Sequence, residues 1–362
     1  SMVVGLLGIG YSFIATPSTV EALGAHASHD PAHAEHVLHL LQNKPWAALY
    51  VAALFFMLIS LGVLAFYAIN RAAQAGWAPI LFRVMEGITG YLPIGALIFF
   101  LLLVFSGLHF NHLFIWMDPA VVAHDKVIQG KTGYLNVPFF LVRAAVYMLG
   151  WIAYRQITRK LSKAQDQAHD NRPFVKAFKW SAGFLVFFLV SESMMSWDWV
   201  MSVDPHWFST LFGWYVFGSL IASAIAAIIL VTVTLKSQGY LEHVNDSHLH
   251  DLAKYLFGFS IFWTYLWFSQ YLLYWYSNIP EEVTYFVTRL EHYEPIVLSM
   301  LAINFLLPLL ILVDSDIKRK PWVVGTMAVV ILVGHYLDFF NMIMPATVGD
   351  QWCIGAGEIG SV

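Results

Sequence analysis

Among the ionisable side chains inside or at the ends of long apolar runs, eight stand out: Glu86, His109, His112, Arg143, Glu192, Asp198, His335 and Asp338. At the centre of a bilayer an ionised side chain costs about 2.5–3.5 kcal/mol on insertion scales, so such residues face a bundle interior or line a pathway. His109 and His112 are three apart and are expected to share a helix face, as are His335 and Asp338. Glu192 and Asp198, six apart, are not. The chemistry open to this set is proton movement, or acceptance of protons from a quinol whose ring sits between aromatic walls. In the first case Glu86 serves the inner half, Arg143, Glu192, His335 and Asp338 the middle, and His109, His112 and Asp198 the outer exit. Each group also has a structural reading. The two histidines could touch loop carbonyls at an interface, and Arg143 could cross-link helices through Glu192 or Asp198.

A second group lies in connections expected on the outer side: Asp204, His206, Glu281, Glu282 and Glu294. Asp118 and Asp204 each precede a proline, a turn signal, and Glu281 and Glu282 follow Pro280 as the first turn of a short helix would. His26, His29, His33, His36 and His39 fall at near-helical spacing, interrupted by Pro31. They read as an amphipathic stripe against a neighbour rather than a metal site. The single cysteine, Cys353, excludes an intrachain disulfide, a cysteine zinc site, an iron–sulfur cluster and covalent haem attachment. The membrane histidines do not make two facing axial pairs, so no haem or metal is expected on this chain.

The elements that must position these residues follow from composition. Of 362 residues, 59% are hydrophobic and 12% charged, against about 25% charged in soluble domains. Mean hydropathy is +0.65. A nucleic-acid-binding surface, disorder and coiled coil are excluded, and a polytopic all-α integral membrane protein remains. Apolar runs cover residues 2–20, 46–69, 80–115, 134–157, 176–201, 210–235, 252–276, 292–313 and 321–345, each long enough or nearly so for the ~20 residues a span needs. A tenth span is expected after Gly355, and residues are expected to be missing from the given chain at one or both ends. Fourteen of the 19 Lys and Arg residues fall in alternate connections, led by the 155–179 segment. By the positive-inside rule that side, and the N-terminus with it, is cytoplasmic. LVSE at 189–192 aligns with LVGH at 332–335, and the same offset sets Asp198 against Asn341. The units expected are 1–45 (first helix and His-rich loop), 46–205 and 206–348 (two four-helix bundles), and 349–362 (the start of a tenth helix).

WDWVMSVDPHWFSTLFGWYVFGS (197–219) and FSQYLLYWYSNIPEEVTYF (268–286) resemble the NrfD-like, polysulfide-reductase-type membrane subunits. The likeness runs to GHYLDFFNMIMP (334–345) and is greatest to the second NrfD-like subunit of bacterial alternative complex III, a quinol:electron-acceptor oxidoreductase. The resemblance implies ten helices in two four-helix bundles, a place in the bacterial cytoplasmic membrane, and no redox cofactor on this chain. It implies as partners a second NrfD-like subunit, an iron–sulfur subunit, c-type cytochromes carrying haem c, and a terminal oxidase, with lipid around them. The quinol site of that family is usually placed in the other NrfD-like subunit. The resemblance therefore favours a proton path or structural support here, with direct menaquinol binding as the alternative. Of the candidates, only Asp198, Asp204, His206, Glu281 and Glu282 sit inside the two long motifs, 197–219 and 268–286.

Overall fold

The computed structural model describes residues 10–16 and 31–352, with side chains from residue 37 onward in the second segment. Its long helices are α1 (Pro31–Ala72), α2 (Pro79–Gly107), α3 (Val137–Gln167), α4 (Arg172–Trp199), α5 (Phe212–Ser237), α6 (Asp246–Ser277), α7 (Pro280–His292), α8 (Glu294–Ile311) and α9 (Pro321–Val348). Proline sits in the first turn of α2, α3, α4, α7, α8 and α9. There its missing N–H costs nothing and its fixed φ suits the helix. Asn136 and Asn245 cap α3 and α6 through their side-chain oxygens.

Seven of these helices, all but α6 and α7, are long and apolar enough to cross a membrane. The chain is thus an all-α, multi-pass membrane protein. The 32-residue α6 falls short on hydropathy through its Trp, Tyr, Ser and Gln residues, yet it packs along α5 as the spanning helices pack on one another. The first apolar run, 2–20, lies mostly outside the described residues, as do Cys353 and the segment after it.

Contacts group the helices into two rings: α1 with α2, α3 and α4, and α5 with α6, α8 and α9. The rings join where α1 meets α5 and α9, and α4 meets α5. Helix α1 is the central strut, with 89% of its apolar window buried. At Gly62 a Cβ would stand 2.7 Å from the Leu220 carbonyl, so α1 and α5 touch backbone to backbone. One end of the bundle carries the basic connections, tied by Arg319–Ser247 and His250–Ser315 hydrogen bonds. The opposite, aromatic end holds segments 108–136, 200–211 and 278–293.

Two expectations about element boundaries are corrected. Helix α1 starts at Pro31 rather than at residue 46, so a unit boundary at 45 would cut a continuous helix. Pro45 is carried inside it. The third apolar run does not remain helical to 115. It stops at Gly107, where His109 takes a left-handed conformation (φ 62°) and the Phe110 N–H bonds back to the Phe105 carbonyl. This is a helix-ending motif that satisfies orphan carbonyls.

Candidate functional site

In the second ring, α9 carries His335 and Asp338 one turn apart, both wholly buried. Helix α5 brings Tyr215 and Ser219, four apart on one face, and α6 brings Trp263. Asp338 Oδ1 accepts from the Tyr215 hydroxyl. Its Oδ2 accepts from Ser219 Oγ at 2.9 Å and Trp263 Nε1 at 2.8 Å. Ser219 Oγ also lies 2.9 Å from His335 Nδ1, while the direct His335–Asp338 approach is 3.7 Å. Ser219 has one hydroxyl hydrogen. If it goes to the carboxylate, Nδ1–H must donate to Ser219 and the lone pair falls on Nε2. That nitrogen is buried without a hydrogen-bond partner. The array is a directed chain, imidazole to hydroxyl to carboxylate, with an open acceptor at its head.

In the first ring, Arg143 grips Asp198 with two parallel bonds of 2.8 Å from Nε and Nη2. Its Nη1 donates to the Tyr134 carbonyl at 3.0 Å, and its guanidinium lies over the rings of Tyr134 and Phe139. Tyr147 adds a hydroxyl to Asp198 at 3.3 Å. All three guanidinium nitrogens and both carboxylate oxygens are engaged, which makes the pair a lock between α3 and α4. Of the two carboxylates the sequence offered Arg143, the partner is Asp198 and not Glu192. Glu192 lies buried on another face of α4, with Oε1 unpartnered and no bond to Arg143.

At the basic end Glu86 Oε2 pairs with Arg83 at 3.0 Å and with Arg159, and Oε1 accepts from the Tyr67 hydroxyl, itself bonded by Arg71 Nε. Thr89, Arg155 and Thr158 close a cavity of about 10 Å³ beside it, room for about one water.

His109 and His112 do not share a helix face, because the helix has already ended. His109 is exposed at the cap. The His112 backbone exchanges two hydrogen bonds with the Asn43 amide (3.0 and 3.1 Å), and its ring meets His39 at 5.2 Å. Burial, reinforced by His39, pushes the His112 imidazole below its ordinary range. The remaining histidines of that stripe, His26, His29, His33 and His36, have side chains outside the described residues.

The other loop candidates are dispersed. His206 bonds Asp125, which that contact and the backbone N–H groups of Val127 and Ile128 hold below the usual carboxylate range. Asp204 is half-buried, Glu281 and Glu282 occupy the first turn of α7, and Glu294 is exposed in the first turn of α8. Nearby, a cleft of about 530 Å³ is lined by Lys131, Tyr134, Trp197, Met201, Trp207 and Phe208. The buried Trp207 indole N–H has no partner.

Sequence reasoning missed Tyr215, Ser219, Trp263, Tyr147 and Arg289. Tyr215 and Ser219 lie inside the WDWVMSVDPHWFSTLFGWYVFGS segment, four residues apart, and that spacing is the signal that could have found them. Arg289 is buried at the aromatic end over the Tyr285 ring, 3.3 Å from its centre, and donates to the Asn341 and Met342 carbonyls at 3.0 and 3.1 Å. Comparison with protein-family models and with curated proteins returns no match.

Proposed function

We propose that this chain is a membrane subunit, without a redox cofactor of its own, of a quinol:electron-acceptor oxidoreductase of the alternative complex III type, and that it carries protons through its second helix ring. The observation that carries the proton reading is the His335–Ser219–Asp338 chain with His335 Nε2 left open. A proton arriving at Nε2 makes an imidazolium, which can release Nδ1–H through Ser219 to the carboxylate. Tyr215 and Trp263 donate to the ionised carboxylate and hold it in place between transfers. The resemblance of segments 197–219 and 268–286 to NrfD-like subunits supports the complex, the bacterial cytoplasmic membrane and the iron–sulfur and cytochrome c partners. In this reading Arg143–Asp198 is structural, and Glu86 with its arginines gathers charge at the cytoplasmic end.

The test is proton release per quinol oxidised by the complex in proteoliposomes. Asp338→Asn keeps the shape and should lower the yield by at least half while the complex assembles. Full yield with full turnover would overturn the relay. A second reading, direct menaquinol binding, is favoured by the aromatic cleft under Tyr134 and the open Trp207 indole. Its test is quinone co-purifying with the isolated chain and lost in Trp207→Leu.

A further inference from the structure

Helix α8 is not regular. Residues Ala302–Leu306 form a π-turn, in which the Leu307 N–H reaches back five residues to the Ala302 carbonyl. The cause is in the sequence. Pro308 has no N–H to give the Asn304 carbonyl four residues before it, and its ring crowds that carbonyl. The widened turn places Asn304 wholly inside the second ring. Neither its Oδ1 nor its Nδ2 has a hydrogen-bond partner. Across from it is Gly334, where a Cβ would stand 2.1 Å from Asn304 Oδ1, so the amide rests directly on the α9 backbone beside His335. His335 Nε2 is unpartnered too, and so is the hydroxyl of Ser260. Ser260 lies one turn from Trp263 on the same face of α6, toward the basic end, and Trp263 packs edge-on against His335 at 5.6 Å.

Three neighbouring elements thus carry four open polar side-chain atoms, both donors and acceptors, in the buried interior of the ring. Buried polar groups in native proteins are satisfied, if not by protein then by internal water, which makes two to four bonds. π-Turns of this kind recur at functional sites. We infer that Asn304, Ser260 and His335 Nε2 hold an internal water site, and that it is the port through which protons from the basic end reach the imidazole. Asn304 is a positioning residue in this scheme: it holds the water against Nε2 and does not itself titrate. The water donates a proton to Nε2 as it accepts one from the basic side, so the water is left unchanged and the added charge passes to the imidazole. The inference rests on the His335–Asp338 relay proposed above and adds its inner entrance.

Two measurements decide it. The first is a density map of the wild-type complex in nanodiscs at a resolution that shows ordered water. Density within hydrogen-bond distance of the Asn304 amide and His335 Nε2 is expected. Direct side-chain bonds with no solvent density between them would overturn the site. The second is proton uptake in proteoliposomes for Asn304→Leu, Asn304→Ser and Asp338→Asn. Asn304→Leu should slow uptake at least tenfold, and Asn304→Ser, which keeps a polar contact, should restore most of it. If Asp338→Asn abolishes uptake while Asn304→Leu does not change it, the entrance is wrong and the relay stands. If Asp338→Asn is without effect, the relay falls and with it the port. Should Asn304→Leu not assemble, Ser260→Ala and the wild-type map carry the same decision.

Discussion

Arg143 and Asp198 are a buried ion pair, and breaking such a pair leaves one uncompensated charge. Replacing Arg143 by Leu should therefore lower stability by about 3–5 kcal/mol, read as a drop in thermal midpoint in detergent. Replacing both residues by apolar ones should recover much of the loss, because the desolvation cost disappears with the pair. Asp125 tests a different regime, outside the membrane. Its folded pKa lies below its unfolded one, so its contribution is present above the unfolded value and is lost as pH falls through the folded one. Amides of residues 125–129 should then exchange faster once pH drops below about 3.8, and Asp125→Asn should give the same loosening already at neutral pH. Exchange rates independent of pH after correction for intrinsic chemistry would contradict this. The pairing of Arg143 was legible in the sequence because a cation deep in an apolar run requires an anion. The choice of Asp198 over Glu192 was not, since it depends on the rotation of α4 about its axis. Tyr215, Ser219 and Trp263 were hidden for another reason. They are neutral and common in membrane helices, so nothing but their convergence on Asp338 marks them.

Among the elements, proline explains what hydropathy alone could not. Pro308 opens the π-turn at Asn304. Pro345, inside α9, cannot donate to the Asn341 carbonyl, and it is this carbonyl that Arg289 Nε bonds at 3.0 Å. The arginine of α7 replaces a missing helix bond. Pro345→Ala supplies the N–H again, so its effect and that of Arg289→Leu should not add. A double-mutant cycle on thermal stability should give a coupling of about 0.5–3 kcal/mol. Strict additivity would show that the two are independent. Gly62 offers a simpler case. An Ala there must push α1 from α5, and overpacking of this kind costs about 1–3 kcal/mol, measurable as a lowered midpoint for Gly62→Ala. The end of α2 illustrates what the sequence concealed. The His109-x-x-His112 spacing reads as helical, but the chain adopts a left-handed cap on a non-glycine residue, which composition does not announce.

At the scale of the whole molecule, the fold class was written in the composition, and the alternation of basic connections agrees with antiparallel helices tied at a basic and an aromatic end. A faint repeat suggested two four-helix bundles. Their seam, with α1 as the shared strut, was not legible because it rests on close backbone approach at Gly62. The orientation in the membrane is open to a direct measurement. With Cys353 replaced by Ser, Asp170→Cys should react with an impermeant thiol reagent only from the cytoplasmic side, and His124→Cys only from the opposite side. Labelling of both from one side would contradict the topology.

The bond from Arg289 to Asn341 has a mechanical consequence. Helix α7 lies at the aromatic end with Val287 and Leu290 partly exposed, and so offers a handle to whatever rests on that surface. Asn341 stands one turn beyond Asp338 on the same helix. A load that displaces α7 is passed by the guanidinium to the α9 backbone within one turn of the buried carboxylate. The proline that broke the helix bond thus made α9 responsive to its surface: where an ordinary helix would be braced only by itself, this one is held by a tether whose other end faces outward.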